Sequence, residues 1–172
     1  MQKKQVYTRI SAIQGLAFNS LKQLISWSND FKVDQPQIDT QHESLFKLAV
    51  EASELSRSPA DKDKLITKFE EFGILLDEHF RDEEDVLVEI GYPMLKGHRA
   101  EHKALLSEFK FIRQRLSTWG GEPAFQEKAF VVLNFMLGVT VGHILHSDVN
   151  YARCMQKDLL KQADICLPDH GP

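Results

Sequence analysis

"HFRDEEDVLVEIGYPMLKGHRAEH", His79 to His102, carries three histidines and a run of acids in a stretch whose apolar residues keep helical spacing. His79 and Glu83 are separated by four residues, and His98 and His102 repeat that spacing. Two positions four apart sit about 40° apart around a helix, one turn above the other. Between the pairs lies "GYP". Gly91 is suited to follow a helix C-terminus, and Pro93 to begin the next helix. The stretch is therefore expected to be two antiparallel helix ends meeting at a turn, each pointing ligand-type side chains where a core helix would place leucine.

The same periodicity extends outward. Upstream, Leu65, Phe69, Phe72 and Leu76 lead into His79 and Glu83 on one stripe. "RSPAD" precedes them, with Ser58 as a cap, Pro59 at the first helical position and Asp61 at the positive helix end. Before that, "TQHE" fits a capping box with Thr40 as N-cap and Glu43 reaching back. It opens a helix on which His42, Leu45, Ala49 and Ala52 share a face, with Leu48 and Leu55 beside them. Downstream, Leu95, His98, His102, Leu105, Phe109, Ile112 and Leu116 form a 3-4-3-4 seam. "GGEP" at 120–123 ends it. A fourth helix is expected from about Phe125 toward Leu160, through Val132, Met136, Val139 and His143. Strand signals are scarce. The fold class is all-α, an antiparallel up-down-up-down four-helix bundle.

The chain has 172 residues, 42% hydrophobic and 27% charged, with a net charge of -4. That suits one domain whose core needs no disulfide. Residues 27–160 form the bundle domain, residues 1–26 an N-terminal extension and residues 161–172 a tail or linker. The extension is expected to hold an amphipathic helix through Ile10, Ile13, Leu16, Leu21, Leu24 and Ile25. It packs on the bundle end or serves as a dimer or partner contact, and the oligomeric state is left open. The mildly acidic balance argues against nucleic acid. No continuous apolar run is long enough for a membrane span. The N-terminus lacks a leader pattern, so the protein is expected to be cytoplasmic. Cys154 and Cys166 form no CxxC and are expected to be reduced thiols.

His42, His79, His98, His102 and His143 all fall on the inferred buried stripes. A neutral polar group buried without a partner costs roughly 1–3 kcal/mol, and a charged one more. A metal removes that penalty, because neutral imidazole and carboxylate are the ligands it takes. Five nitrogens plus carboxylates exceed the four ligands of a structural zinc. Calcium and magnesium prefer oxygen. Imidazole with carboxylate suits iron, with zinc or an adventitious metal as the alternative. Asp82, Glu84 and Asp85 are expected to form a solvated face.

The order "W…IDTQH", "HFRDEE", "GYPMLKGHRAEH", "HILHSD", over residues 27 to 155, resembles the bacterial hemerythrins. The resemblance implies a non-haem di-iron centre, oxo- or hydroxo-bridged, that binds O2 reversibly. It implies one iron held by His98, His102 and His143, the other by His42 and His79, and bridging by Glu83 and Asp148. In an ideal helix His143 and Asp148, five apart, would lie about 140° apart. Spacing alone would select His146 instead, so Asp148 requires a local widening of the helix, as in a π-bulge. The family usually has a Trp-Leu pair where this chain has Val139 and Thr140. That difference implies a larger, more polar O2 pocket, faster autoxidation, and O2 or redox sensing over carriage or storage. A di-iron oxidase or peroxidase is disfavoured, since such enzymes use mostly carboxylate ligands. An output domain in cis, such as a diguanylate cyclase or chemotaxis receptor, would suit a sensor.

Overall fold

The computed structural model describes residues 27–117 and 124–152. The proposed N-terminal helix, the "GGEP" break, Cys154, Cys166 and the C-terminal tail lie outside them. Four long helices account for the architecture: α1 Pro36–Leu55, α2 Lys62–Glu89, α3 Leu95–Leu116 and α4, which begins as Ala124–Leu137. α4 continues as a π-helical segment, Gly138–Asp148. No strand occurs among the described residues.

α1 starts five residues earlier than the capping-box reading placed it. Pro36 occupies the first turn after Gln35, where its fixed φ pre-organises the helix and its missing N–H is not needed. Thr40 is already inside, and its hydroxyl donates to the Pro36 carbonyl at 2.8 Å. Asp39 instead ties down the preceding chain, accepting from the Val33 N–H at 2.7 Å. Ser58 caps as expected, accepting from the Ala60 N–H above a 3-10 turn, Pro59–Asp61, that leads into α2.

The α2–α3 connection is built by Gly91, at φ +64. The Tyr92 N–H bonds the Leu87 carbonyl at 2.9 Å and the Gly91 N–H bonds Val88 at 3.1 Å, the two bonds of a Schellman ending. Pro93 does not begin α3. It sits inside the turn closed by the Leu95 N–H on the Tyr92 carbonyl at 3.2 Å, a position that its fixed φ also suits. α3 follows, flanked by Met94.

Contacts across the bundle give the directions. Phe69 near the start of α2 meets Phe109 near the end of α3, ring centroids 4.8 Å apart. His42 early in α1 meets His79 late in α2 at 4.7 Å. His102 early in α3 meets His143 late in α4 at 4.9 Å. Each pair joins opposite helix ends, so neighbours run antiparallel.

The predicted stripes are buried. Leu45, Ala49, Ala52, Leu65, Phe69, Phe72, Leu76, Phe109, Ile112, Leu116, Val132 and Met136 form one large apolar cluster. A smaller one of Val33, Ile38, Leu87, Tyr151 and Ala152 closes the far end. Between the two, every helix contributes buried polar side chains: His42, His79, Glu83, His98, His102, His143 and Asp148. The helix Ala124–Ala152 is long and apolar enough, by length and composition alone, to cross a membrane. Half of its apolar stretch is buried inside the bundle, and His143 and Asp148 point into the same interior, so the apolarity is that of a core helix.

Candidate metal centre

The polar layer is assembled from all four helices. His42 comes from α1, His79 and Glu83 from successive turns of α2, His98 and His102 from successive turns of α3. His143 and Asp148 come from the π segment of α4. There the Val149 N–H bonds the Ile144 carbonyl five residues back. Closing turns at i→i+5 brings Asp148 back over His143, which an α-helix would not do. His143 Nε2 is 3.2 Å from Asp148 Oδ1. π-helix usually appears as a single-turn bulge; here it spans 11 residues. His146, the spacing alternative, is exposed.

The side chains form two groups that share Glu83 and Asp148. One is His98, His102, His143, Glu83 and Asp148, and the other is His42, His79, Glu83 and Asp148. In the first, His98 Nε2 and His102 Nε2 lie 2.9 and 3.1 Å from Glu83 Oε2. His98 Nε2 and His143 Nε2 lie 3.5 and 3.2 Å from Asp148 Oδ1. In the second, His42 Nε2 and His79 Nε2 lie 3.3 and 3.8 Å from Asp148 Oδ2. Asp148 thus turns one oxygen to each group. Separations near 3 Å are what ligands around one ion show when each bond is about 2.1 Å.

The donors fit a cation better than they fit one another. His42 Nδ1 and Nε2, His79 Nε2, Glu83 Oε1, both Asp148 oxygens and the Tyr151 hydroxyl are buried with no hydrogen-bond partner. Several of these nitrogens and oxygens are within ion-pair distance, yet their angles do not make hydrogen bonds. They converge on a common interior instead of pairing. His102 Nε2 and His143 Nε2 are 3.0 Å apart. Both rings place Nδ1 beside a carboxylate, Glu84 at 2.9 Å and Glu101 at 3.3 Å. With both Nδ1 atoms beside carboxylates, a cation between the two Nε2 atoms can take the place of the proton that must otherwise lie there.

Without a cation, the charges of the layer compensate one another. Burial acts to raise Glu83, as does Asp148, but hydrogen bonds from His102 and His98 outweigh both and hold it at about 2. Burial also acts to raise Asp148; the charge of His143 and contacts from His42 and His79 leave it well below the usual carboxylate range. Burial lowers His79. Burial acts the same way on His143, but Asp148, Glu101 and Glu83 raise it to about 9. Burial, reinforced by Glu83 and Asp148, pushes the Tyr151 hydroxyl up, so it stays protonated beside the carboxylates.

Supporting residues orient the rings. His102 stacks on Phe80 at 3.8 Å and 5°, and Trp27 lies 6.1 Å from His42. His79 Nδ1 is 3.3 Å from Gln41 Oε1. The Gln41 amide donates to Asp82 at 2.6 Å, and Gln37 donates to the same oxygen at 2.8 Å. This corrects the expectation of a solvated acidic face. Only Asp85 is exposed; Asp82 and Glu84 are half-buried and engaged around the site. Gln41, Asp82, Glu84 and Glu101 were not picked out by stripe position, because each lies next to a ligand in sequence and about 100° off the stripe. That adjacency is the signal that could have found them.

Val139 and Thr140 are buried in the π segment. The Thr140 hydroxyl donates to the Met136 carbonyl at 2.9 Å. Its donor is spent within the helix, where the turn widens, so it adds less polarity to a neighbouring pocket than the sequence implied.

Comparison with known proteins agrees with this geometry. The hemerythrin HHE cation-binding domain family matches residues 34–153. A bacteriohemerythrin of Clostridium acetobutylicum is 29% identical over 128 residues, covering 73% of this chain and 96% of that protein. A bacteriohemerythrin of Campylobacter jejuni is 30% identical over 91 residues, covering 53% of this chain and 64% of that protein. A myohemerythrin of Theromyzon tessulatum is 30% identical over 91 residues, covering 53% and 70%. No solved structure matches at the same stringency.

Proposed function

The chain belongs to the hemerythrin family, and on that premise we propose that it binds O2 reversibly at a di-iron centre and acts as an O2 or redox sensor. The observation that carries the reading is the pair of overlapping ligand groups that share Glu83 and Asp148. His98, His102 and His143 would hold one iron, and His42 and His79 the other. With one imidazole fewer, the two-histidine group would be the one left with room for O2. When bound, the two irons supply the electrons by which O2 is held and released. The protein's part is to fix His79, His102 and His143 through Nδ1, to offer the two carboxylates shared by both groups, and to keep bulk water out with the buried layers on either side. The Tyr151 hydroxyl, kept protonated by burial near the carboxylates, adds no further negative charge to the layer.

The ligand balance supports binding over oxidase or peroxidase chemistry. Five imidazoles and two carboxylates stabilise highly oxidised iron less than the carboxylate-rich ferritin-like sites do. Sensing over storage is supported by the small Val139 and Thr140, buried one turn before His143, which by the family resemblance would leave more room beside the irons than a Trp-Leu pair. α4 also carries both His143 and Asp148 and is placed to pass a change at Asp148 along its axis to an output domain in cis.

The test is the optical spectrum of the reduced protein before and after air. A charge-transfer band that appears with O2 and vanishes on deoxygenation is the expected result. A protein that takes up no iron contradicts the reading, and immediate irreversible oxidation contradicts reversible binding. Thr140→Leu narrows the pocket, so its autoxidation should be slower than wild type. An unchanged or faster rate removes the pocket-size argument for sensing.

A further inference from the structure

The two ligand groups differ in what stands behind them. In the three-histidine group two of the three outer ring nitrogens meet anions. His102 Nδ1 is 2.9 Å from Glu84 Oε1, and His143 Nδ1 is 3.3 Å from Glu101 Oε2. Glu84 is itself held by Arg99 Nε at 2.9 Å, and Ser147 donates to Glu101 at 2.8 Å. In the two-histidine group the outer partners are neutral or missing. His79 Nδ1 faces the amide oxygen of Gln41 at 3.3 Å, and His42 Nδ1 is buried with no partner. Asp82 supplies a negative charge on this side, but one step removed, accepting from the Gln41 amide.

An imidazole whose outer N–H is given to a carboxylate is a stronger donor through its other nitrogen than one bonded to an amide. We propose that this asymmetry ranks the two metal positions: Glu84 and Glu101 make the three-histidine position the tighter, first-loaded one. Gln41 keeps the two-histidine position weaker, so that its metal is the last bound and the first removed. The proposal rests on the reading of the layer as a two-metal centre. It makes Glu84, Glu101 and Gln41 positioning residues that act through the imidazoles. Arg99 shares the charge of Glu84, whose side chain is 25% exposed. The effect of Glu84 therefore belongs to the range of 10- to 100-fold in affinity, typical of outer partners of metal-bound histidine.

The test is anaerobic titration of the metal-free chain with cobalt(II) against a competing chelator, following the visible absorption that reports each ion's coordination. Wild type should take two equivalents in separate steps. Glu84→Gln should weaken the first step about 10- to 100-fold and leave the second within about twofold. Glu101→Gln should weaken the same step less; its side chain is 55% exposed, so it serves as a variant that folds normally. Gln41→Glu combined with Asp82→Asn exchanges the amide and the carboxylate while keeping their hydrogen bond. It should tighten the second step about tenfold and narrow the gap, a gain that damaged folding would not give. Two equivalents with unshifted steps, or with both steps weakened alike by Glu84→Gln, overturn the proposal alone. Uptake of one equivalent or none by wild type overturns the two-metal reading and the proposal with it.

Discussion

At one end of the bundle Phe69, Phe109 and Phe135 interlock, with centroids 4.8 to 6.0 Å apart. Gly73 lies so close that an added Cβ would stand 1.9 Å from the Phe109 ring. A few turns along the same helices, the same stripes carry His42, His79, Glu83, His98, His102, His143 and Asp148. There buried atoms of His42, His79, Glu83 and Asp148 find no hydrogen-bond partner. The first region is complete with protein atoms alone, and its stability is a matter of volume. The second is complete only with something the chain does not encode. Helical period places both regions equally well, so periodicity identifies a buried position without saying what kind of matter fills the space beside it.

Five substitutions separate the regions. The largest effect is expected from Asp148→Ala, which removes a carboxylate that both groups share. Iron content should fall from two per chain to one or none, with loss of the stabilisation that bound metal adds, about 4 kcal/mol per ion at a thousandfold excess over Kd. Metal analysis and melting with and without iron check it. His146→Ala, at an exposed position, should keep both ions; the reverse pattern would reassign the bridge. Phe69→Ala should cost about 3–5 kcal/mol in denaturant unfolding while two metals still bind. Gly73→Ala forces a methyl against Phe109 and should cost about 1–3 kcal/mol, again with unchanged metal content. If either of these lost metal, the two regions would not be independent. The smallest effect is Thr140→Val, which strips the donor from the Met136 carbonyl at the widened turn. About 1 kcal/mol of stability should go, read from the shift in melting temperature.

Much of this was legible in the sequence, and the parts that were not share a cause. The helices, the Gly91 ending and the stripe positions follow from period and from local backbone preferences, which a window of residues contains. The pairing of His143 with Asp148 does not follow from α-helical period. It required the family pattern, because a π segment leaves no mark in apolar spacing. The start of α1 was missed because two plausible openings compete within five residues, and Pro36 wins through its fixed φ over the capping chemistry of Thr40. Asp82 and Glu84 read as solvent-facing because their partners, Gln41 and His102, lie on neighbouring helices. A single helix wheel cannot contain that information.

The proposed centre holds two ions that share Glu83 and Asp148. Its most direct test is anaerobic iron reconstitution, metal analysis per chain, and Mössbauer spectroscopy of the oxidised protein with and without an applied field. Two irons per chain, magnetically coupled through the shared bridges, are predicted. A single iron, or two that behave independently, would contradict it.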